Sequence, residues 1–124
     1  MMLKLDIDGK KINWQRIRAV KEIFKLKIDI DKSRILRTKK GHHIYLAVKN
    51  DLNDEFLCFL QCAMGDDYKR SCLNMNRIKF GERWQKDTWN VLFSKKFYVD
   101  TKGKTTLASE EMELDNEILR RKLK

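Results

Sequence analysis

The chain has no proline, five glycines, two histidines and no apolar run longer than five residues among its 124. Without a proline- or serine-rich tract, and with no internal repeat, nothing marks a linker, and the length suits one domain of ordinary size. Five apolar residues fall far short of the roughly 20 that cross a bilayer. No apolar leader follows the start, so a reducing, cytoplasmic setting without a membrane partner is expected. Cysteine is scarce as well. Cys58 and Cys62 lie one helical turn apart in an apolar stretch, as reduced core thiols do. With Cys72 they lack the fourth ligand and the tight spacing of a zinc site. An apolar content of 42% is enough for a real core and argues against disorder.

Charge of one sign is abundant. The net charge is +10, and residues 1–50 hold 14 Lys and Arg against 5 Asp and Glu, whereas residues 51–124 hold 14 against 13. A surface so biased suits a polyanion, because neutralised phosphates release condensed counterions.

Hydrophobic periodicity orders the chain. Residues 3–8 (Leu-Lys-Leu-Asp-Ile-Asp) alternate with period two up to Gly9, the pattern of a half-buried strand. Asn13 then caps a helix whose apolar positions are Trp14, Ile17, Val20, Ile23 and Phe24, with Arg16, Arg18, Lys21 and Lys25 outward. Strands at 33–38 and 42–48 flank Lys39-Lys40-Gly41, a hairpin signal. Helices follow at 53–64, ended by Gly65, and from Asp66 to about Ile78. Residues 90–93 read as a buried strand, and residues 96–100 continue it or pair across Lys102-Gly103. Ser109 reads as the cap of a last helix, with Glu110 and Glu111 in its first turn and Arg120, Arg121 and Lys122 in its last. The expected fold is α+β, a ferredoxin-like or RRM-like βαββαβ antiparallel sheet with helices on one face, spanning 1–105, plus a C-terminal helix over 106–124.

Several groups in this frame bear chemistry. Asp6 and Asp8, at i and i+2 of a strand, project to the face away from Leu5 and Ile7, about 7 Å apart by strand rise. Paired carboxylates on an open face suit Mg²⁺ or Mn²⁺; Asp8-Gly9 is equally an ordinary turn, and Asp29 and Asp31 repeat the spacing. His42 and His43 face opposite ways, so only one imidazole can join the aspartates. Lys39, Lys40 and the Gly41 amide can hold an anion at the turn. Arg70, Asn74 and Arg77 form one helical stripe that can follow a nucleic-acid backbone, with Arg16, Lys21 and Arg37 adding basic surface. Trp84 and Trp89 either stack bases or close the core.

The order of these pieces resembles the archaeo-eukaryotic primase (primase–polymerase) superfamily. Leu5-Asp6-Ile7-Asp8 matches its metal-binding motif, and the run from Thr38 to Leu46 matches the motif whose histidine contacts the incoming nucleotide's phosphates, with His43 in that role. The resemblance implies an RRM-like catalytic half, nucleic-acid binding, and nucleotidyl transfer by Asp6, Asp8 and His43 with Mg²⁺ or Mn²⁺. It further implies phosphate contacts from Thr38, Lys39, Lys40 and Gly41. Asn74 or Asn76 stands where the family has a third carboxylate. The alternative expectation is a non-enzymatic RRM-like binder of DNA or RNA that uses Lys40-Gly41-His42-His43-Ile44-Tyr45, with Tyr45 stacking on bases. A rolling-circle-type nicking enzyme would need Tyr68 as nucleophile and a histidine pair of different spacing. Met112, Leu119 and Leu123 form an apolar seam through which the last helix could pair two copies.

Overall fold

The computed structural model describes residues 1–9, 11–92, 102–103 and 111–123 in full, and the backbone of 95–99 and 105–110. Strand β1 (Met2–Asp8) and helix α1 (Trp14–Ile23) appear close to where the periodicity puts them, whereas strand β2 (Ile28–Arg37) begins well before the expected start at Ser33. Strand β3 (Gly41–Val48) and helices α2 (Asp54–Met64) and α3 (Tyr68–Phe80) again lie close to their expected places. A short α4 (Arg83–Asp87), strands β4 (Lys95–Val99), β5 (Thr105–Glu110) and β6 (Met112–Glu113), and helix α5 (Glu117–Leu123) complete the chain. The fold is α+β with a four-stranded antiparallel sheet in the order β1-β3-β2-β6, consistent with a ferredoxin-like layout.

The helix boundaries have chemical causes. The Asn13 side chain accepts from the Arg16 amide at 3.1 Å, and the Asn53 side chain from the Phe56 amide at 2.8 Å. Each satisfies one of the orphan donors at a helix start. Gly65 ends α2 at φ +106, a left-handed conformation that costs glycine little. In β1 the odd residues Leu3, Leu5 and Ile7 turn into the core. They meet Ile44, Leu46 and Val48 of β3, Ile17 and Val20 of α1, and Leu57, Leu60 and Met64 of α2. Burying each such side chain stabilises the fold by about 1.5–3 kcal/mol.

One irregularity in β2 has a clear cause. Its register on β3 shifts between Asp29 and Arg34, and Ser33 bridges the gap. The Ser33 hydroxyl donates to the Asp29 carbonyl at 2.8 Å and accepts from the Ala47 amide at 2.9 Å. Bulged backbone groups are thereby satisfied instead of left orphaned.

The C-terminal third departs from expectation. Asn90, Val91 and Leu92 form no strand, and Phe93 lies outside the described residues. Residues 95–99 do pair across the Lys102-Gly103 turn, but with β5, as a separate two-stranded sheet. Ser109 is therefore no helix cap: it pairs with Lys96 within β5. A Ser-Glu-Glu triplet has the chemistry of a helix start, yet the hairpin partner decides its conformation. The helix begins at Glu117, whose amide donates to Asp115 at 3.0 Å. Its expected pairing seam faces inward: Leu119 and Leu123 are buried in this chain's own core, and of the three apolar residues only Met112 is exposed. The physical reason is that α5 lies against β2 and α1, tied by Asn116 to the Ile30 carbonyl and by Arg120 to Asp31.

Candidate functional site

Strand β1 lies at the end of the sheet order, so one row of its backbone groups has no ladder partner. Polar side chains and one amide of the flanking segments satisfy that row. Lys4 N–H donates to Gln61 Oε1 at 2.9 Å, and Asp6 N–H to Asp66 Oδ1 at 2.7 Å. In return the Asp67 amide donates to the Asp6 carbonyl at 2.8 Å, Arg70 to the Lys4 carbonyl at 3.4 Å, and Asn90 to the Met2 carbonyl at 3.2 Å. Residues 90–91 thus run beside β1 through side-chain bonds, which explains their strand-like sequence without strand pairing. Lys4 Nζ adds a 2.7 Å bond to the Asn90 carbonyl. Burial, then the Arg70 charge, hold the Lys4 ammonium below its ordinary pKa.

Asp66 is the hub of this edge. Its side chain is wholly buried and receives Arg70 Nη1 at 2.8 Å and the Ser71 hydroxyl at 3.1 Å as well as the Asp6 amide. Burial pushes its carboxyl pKa up, opposed by the Arg70 charge and these hydrogen bonds. Asp67, next in sequence, caps α3 by accepting from the Arg70 amide at 3.0 Å. The start of α3 is thus locked to β1, and that lock sets the geometry of the cleft.

The cleft has a volume of about 250 Å³ and lies where the polar face of β1 and β3 meets α3. Asp6 and His43 floor it, Asp67, Lys69, Arg70 and Arg77 wall it, and Leu73, Val91 and Leu92 supply apolar surface. Asp6 and His43 are direct partners across the β1–β3 ladder, so their side chains share one face. His43 Nε2 lies 3.5 Å from Asp6 Oδ1, and Nδ1 lies 2.7 Å from Glu111 Oε2. The Tyr45 hydroxyl reaches the same Glu111 oxygen at 3.5 Å. Burial works to lower the His43 pKa, but hydrogen bonds to Asp6 and Glu111 and their charges outweigh it, so the net shift is upward. The His43 side chain is only 5% exposed. Both ring nitrogens face carboxylates, so the imidazole offers an incoming phosphate no free donor; Lys69 and Arg77 on the wall of the cleft are the cations placed to do so, since Arg70 is engaged by Asp66, Asn90 and backbone carbonyls.

The other expected residues divide between this cleft and elsewhere. Asp8 shares the Asp6 face but pairs with Gly41 at the strand end, exposed. Among the described residues no three His, Cys, Asp or Glu side chains come together as a metal-binding group, Asp6 and Asp8 included. Thr38, Lys39, Lys40 and Gly41 line a different cavity, together with Arg37 and His42. Arg16 donates to the Ala63 and Cys62 carbonyls, capping the end of α2 in place of facing a ligand. Lys21 pairs with Glu22 at 3.5 Å. The Arg34 guanidinium sits over the Tyr45 ring, 5.8 Å from its centroid, where a base would stack. Of the α3 stripe, Asn74 is buried and accepts from Arg77 at 3.4 Å, and Arg70 serves the β1 edge. Tyr68 is exposed and lines an apolar pocket with Cys58, Cys62 and Cys72, apart from both histidines. Trp89 is buried in the core, whereas Trp84 is 67% exposed.

In sequence, Asp66 reads only as a helix start and Glu111 only as part of the last helix, and nothing there brings either of them, or Asp67 or Lys69, to the cleft. The i,i+4 spacing of Asp66 and Arg70 was the one signal for the edge network. Glu111 carried none, being in the wrong element. Comparisons with protein-family models, curated proteins and solved structures find no match.

Proposed function

We propose that this chain binds single-stranded nucleic acid along α3 and α4, with the cleft as the deepest part of the track. The observation that carries the reading is the alternation of cations and exposed apolar side chains on this surface, two of them the aromatic rings of Phe80 and Trp84. Lys69, Leu73, Arg77 and Phe80 succeed one another on α3 at helical spacing, and Arg83, Trp84 and Lys86 extend the series on α4. Phe80 is 80% exposed and Leu73 more than half exposed. Apolar side chains so exposed gain nothing from the core, and scattered singly they would need no explanation. Interleaved with Lys and Arg they supply what a single strand requires, faces for bases and charge for phosphates.

A labelled single strand and the matching duplex, titrated by fluorescence anisotropy, test the reading. The single strand should bind more tightly, and its affinity should fall steeply with salt. Trp84→Ala should weaken it by about 5- to 150-fold, the equivalent of about 1–3 kcal/mol of base stacking. Arg77→Ala should reduce the salt slope by about one phosphate. Equal binding of duplex and single strand, or wild-type affinity in Trp84→Ala, would defeat this reading.

The juxtaposition of Asp6, Asp67 and His43 in one cleft favours a second reading, primase-like nucleotidyl transfer with Mg²⁺ or Mn²⁺. A divalent ion bound by few carboxylates takes its remaining ligands from substrate phosphates. Nucleotide incorporation with Mn²⁺ that disappears in the Asp6→Ala, Asp8→Ala double variant supports it; no incorporation, or activity that survives the double substitution, rejects it.

A further inference from the structure

We infer that the outer side of the α2–α3 hairpin is an interface at which two copies of this chain pair about a two-fold axis. The residues of α2 are the first sign. From Phe56 to Gly65 there is no Asp, Glu, Lys or Arg, in a chain 37% charged. The amide side chain in that run, Gln61, is buried. A helix that is apolar all round is normally covered all round, yet α2 turns a phenylalanine to solvent: Phe59 is 49% exposed. Phe59 stands between two cavities, of about 220 and 500 Å³, and with Met75 it lines both. Its ring is held in place, stacked on Phe56 with centroids 6.1 Å apart and meeting Phe24 edge-on at 5.9 Å. A projection already fixed loses little freedom on binding. The smaller cavity, walled by Cys58, Cys62, Tyr68 and Cys72, falls below the roughly 300–1,000 Å³ of small-molecule sites and suits a single side chain.

A projection and a cavity side by side on one patch are what an isologous interface requires, because each copy presents both to the other. Charge points to the same occupant. The chain carries +10, so two copies repel over most of their surface. The charged residues lining the two cavities are Glu55 and Lys79, 3.9 Å apart, which leaves this patch neutral. Two copies approach there at least electrostatic cost, whereas an acidic partner is drawn to the basic surfaces elsewhere. On α3, Tyr68, Cys72, Met75 and Lys79 lie about a third of a turn round from Lys69, Leu73, Arg77 and Phe80, at about 100° per residue. The pairing face and the proposed strand track are thus different flanks of one helix. The face is also distinct from the last helix, whose Leu119 and Leu123 are buried. With α3 roughly 20 Å long, the patch is smaller than the roughly 800 Å² per partner of a standard interface, so the pairing is reversible.

Sedimentation velocity of the full chain, in reductant, without nucleic acid and from about 10 μM to about 1 mM, tests the inference. A monomer–dimer equilibrium is expected. Rising salt should strengthen it as the repulsion between the copies is screened, the reverse of oligonucleotide binding. Phe59→Lys should weaken the pairing by about tenfold or more, with its urea midpoint confirming that the chain still folds. Glu55→Lys alters an exposed residue and no apolar contact, and it gives each neutral face a charge of +2. It should weaken the pairing several-fold, and it decides the matter if Phe59→Lys unfolds. A strict monomer at about 1 mM, a dimer that forms only without reductant, or a dimer as tight in the folded variants as in the wild type overturns the inference. The outcome is independent of the strand proposed for α3 and α4, because no nucleic acid takes part.

Discussion

Replacing Asp66 by alanine should be among the most damaging single changes in the chain, although Asp66 lies in a Gly-Asp-Asp segment that resembles an exposed turn. The carboxylate is wholly buried and serves three donors: the Asp6 amide, Arg70 and Ser71. Its loss leaves the Asp6 amide without its partner at the edge of the sheet, at about 1–3 kcal/mol. It also strips a mostly buried guanidinium of its counter-charge, a change that costs about 3–5 kcal/mol where no other partner remains. Arg70 keeps bonds to Asn90 at 2.8 Å and Val91 at 3.3 Å, so the expected total sits near about 3 kcal/mol. Against a domain stability of about 5–15 kcal/mol that is a large fraction. With a urea slope of about 1–3 kcal/mol/M, the unfolding midpoint should fall by about 1–3 M. Asp67→Ala, one residue along, removes a helix cap and should cost only about 1 kcal/mol. Urea titration of both variants decides the matter: unfolding free energies for the two that agree within about 0.5 kcal/mol would refute the assignment of Asp66 as the hub of the β1 edge.

Two further outcomes follow from the same geometry. His43 has a folded-state pKa above its ordinary 6.5, so the stability it contributes is fully present below that value and is lost as pH rises through the raised one. The stability gap between wild type and Glu111→Gln, measured by urea midpoints, should therefore be widest in mild acid and close toward alkaline pH; a gap that widens instead contradicts the pairing. Gly41→Ala places a Cβ against the Ile7 carbonyl, and the end of the β1–β3 ladder must separate to admit it. A thermal midpoint lowered by at least several degrees is expected, because about 1 kcal/mol already shifts a domain of this size by about 2–8 °C; an unchanged midpoint would show that the contact is slack.

Much of this site was legible in the residues themselves. Period-two alternation put Asp6 on the face away from Leu5 and Ile7, and the adjacency of the two histidines required one to join it and the other to turn away. What stayed illegible came from long-range side-chain chemistry. Gln61, Arg70 and Asn90 satisfy the β1 edge through bonds that leave no periodic trace, so residues 90–92 resembled a strand from their apolar content alone. Glu111 reaches His43 across 68 positions from a segment whose Ser-Glu-Glu pattern mimics a helix start. The division of the basic residues was equally hidden. Arg16 and Arg70 bond to backbone carbonyls, Arg70 even though it borders the cleft. Lys69 and Arg77 wall the cleft without such bonds to the backbone among the described residues, and only the packed structure separates structural cations from those that can meet a ligand.

The most direct test of the central claim is a map of amide shifts in the ¹⁵N-labelled protein as an unlabelled single strand is added. Saturable changes should concentrate on Asp6, Asp67, Lys69, Arg77 and the residues around Trp84. Changes confined to α1 and α5, or none at strand concentrations well above the protein's, would contradict it.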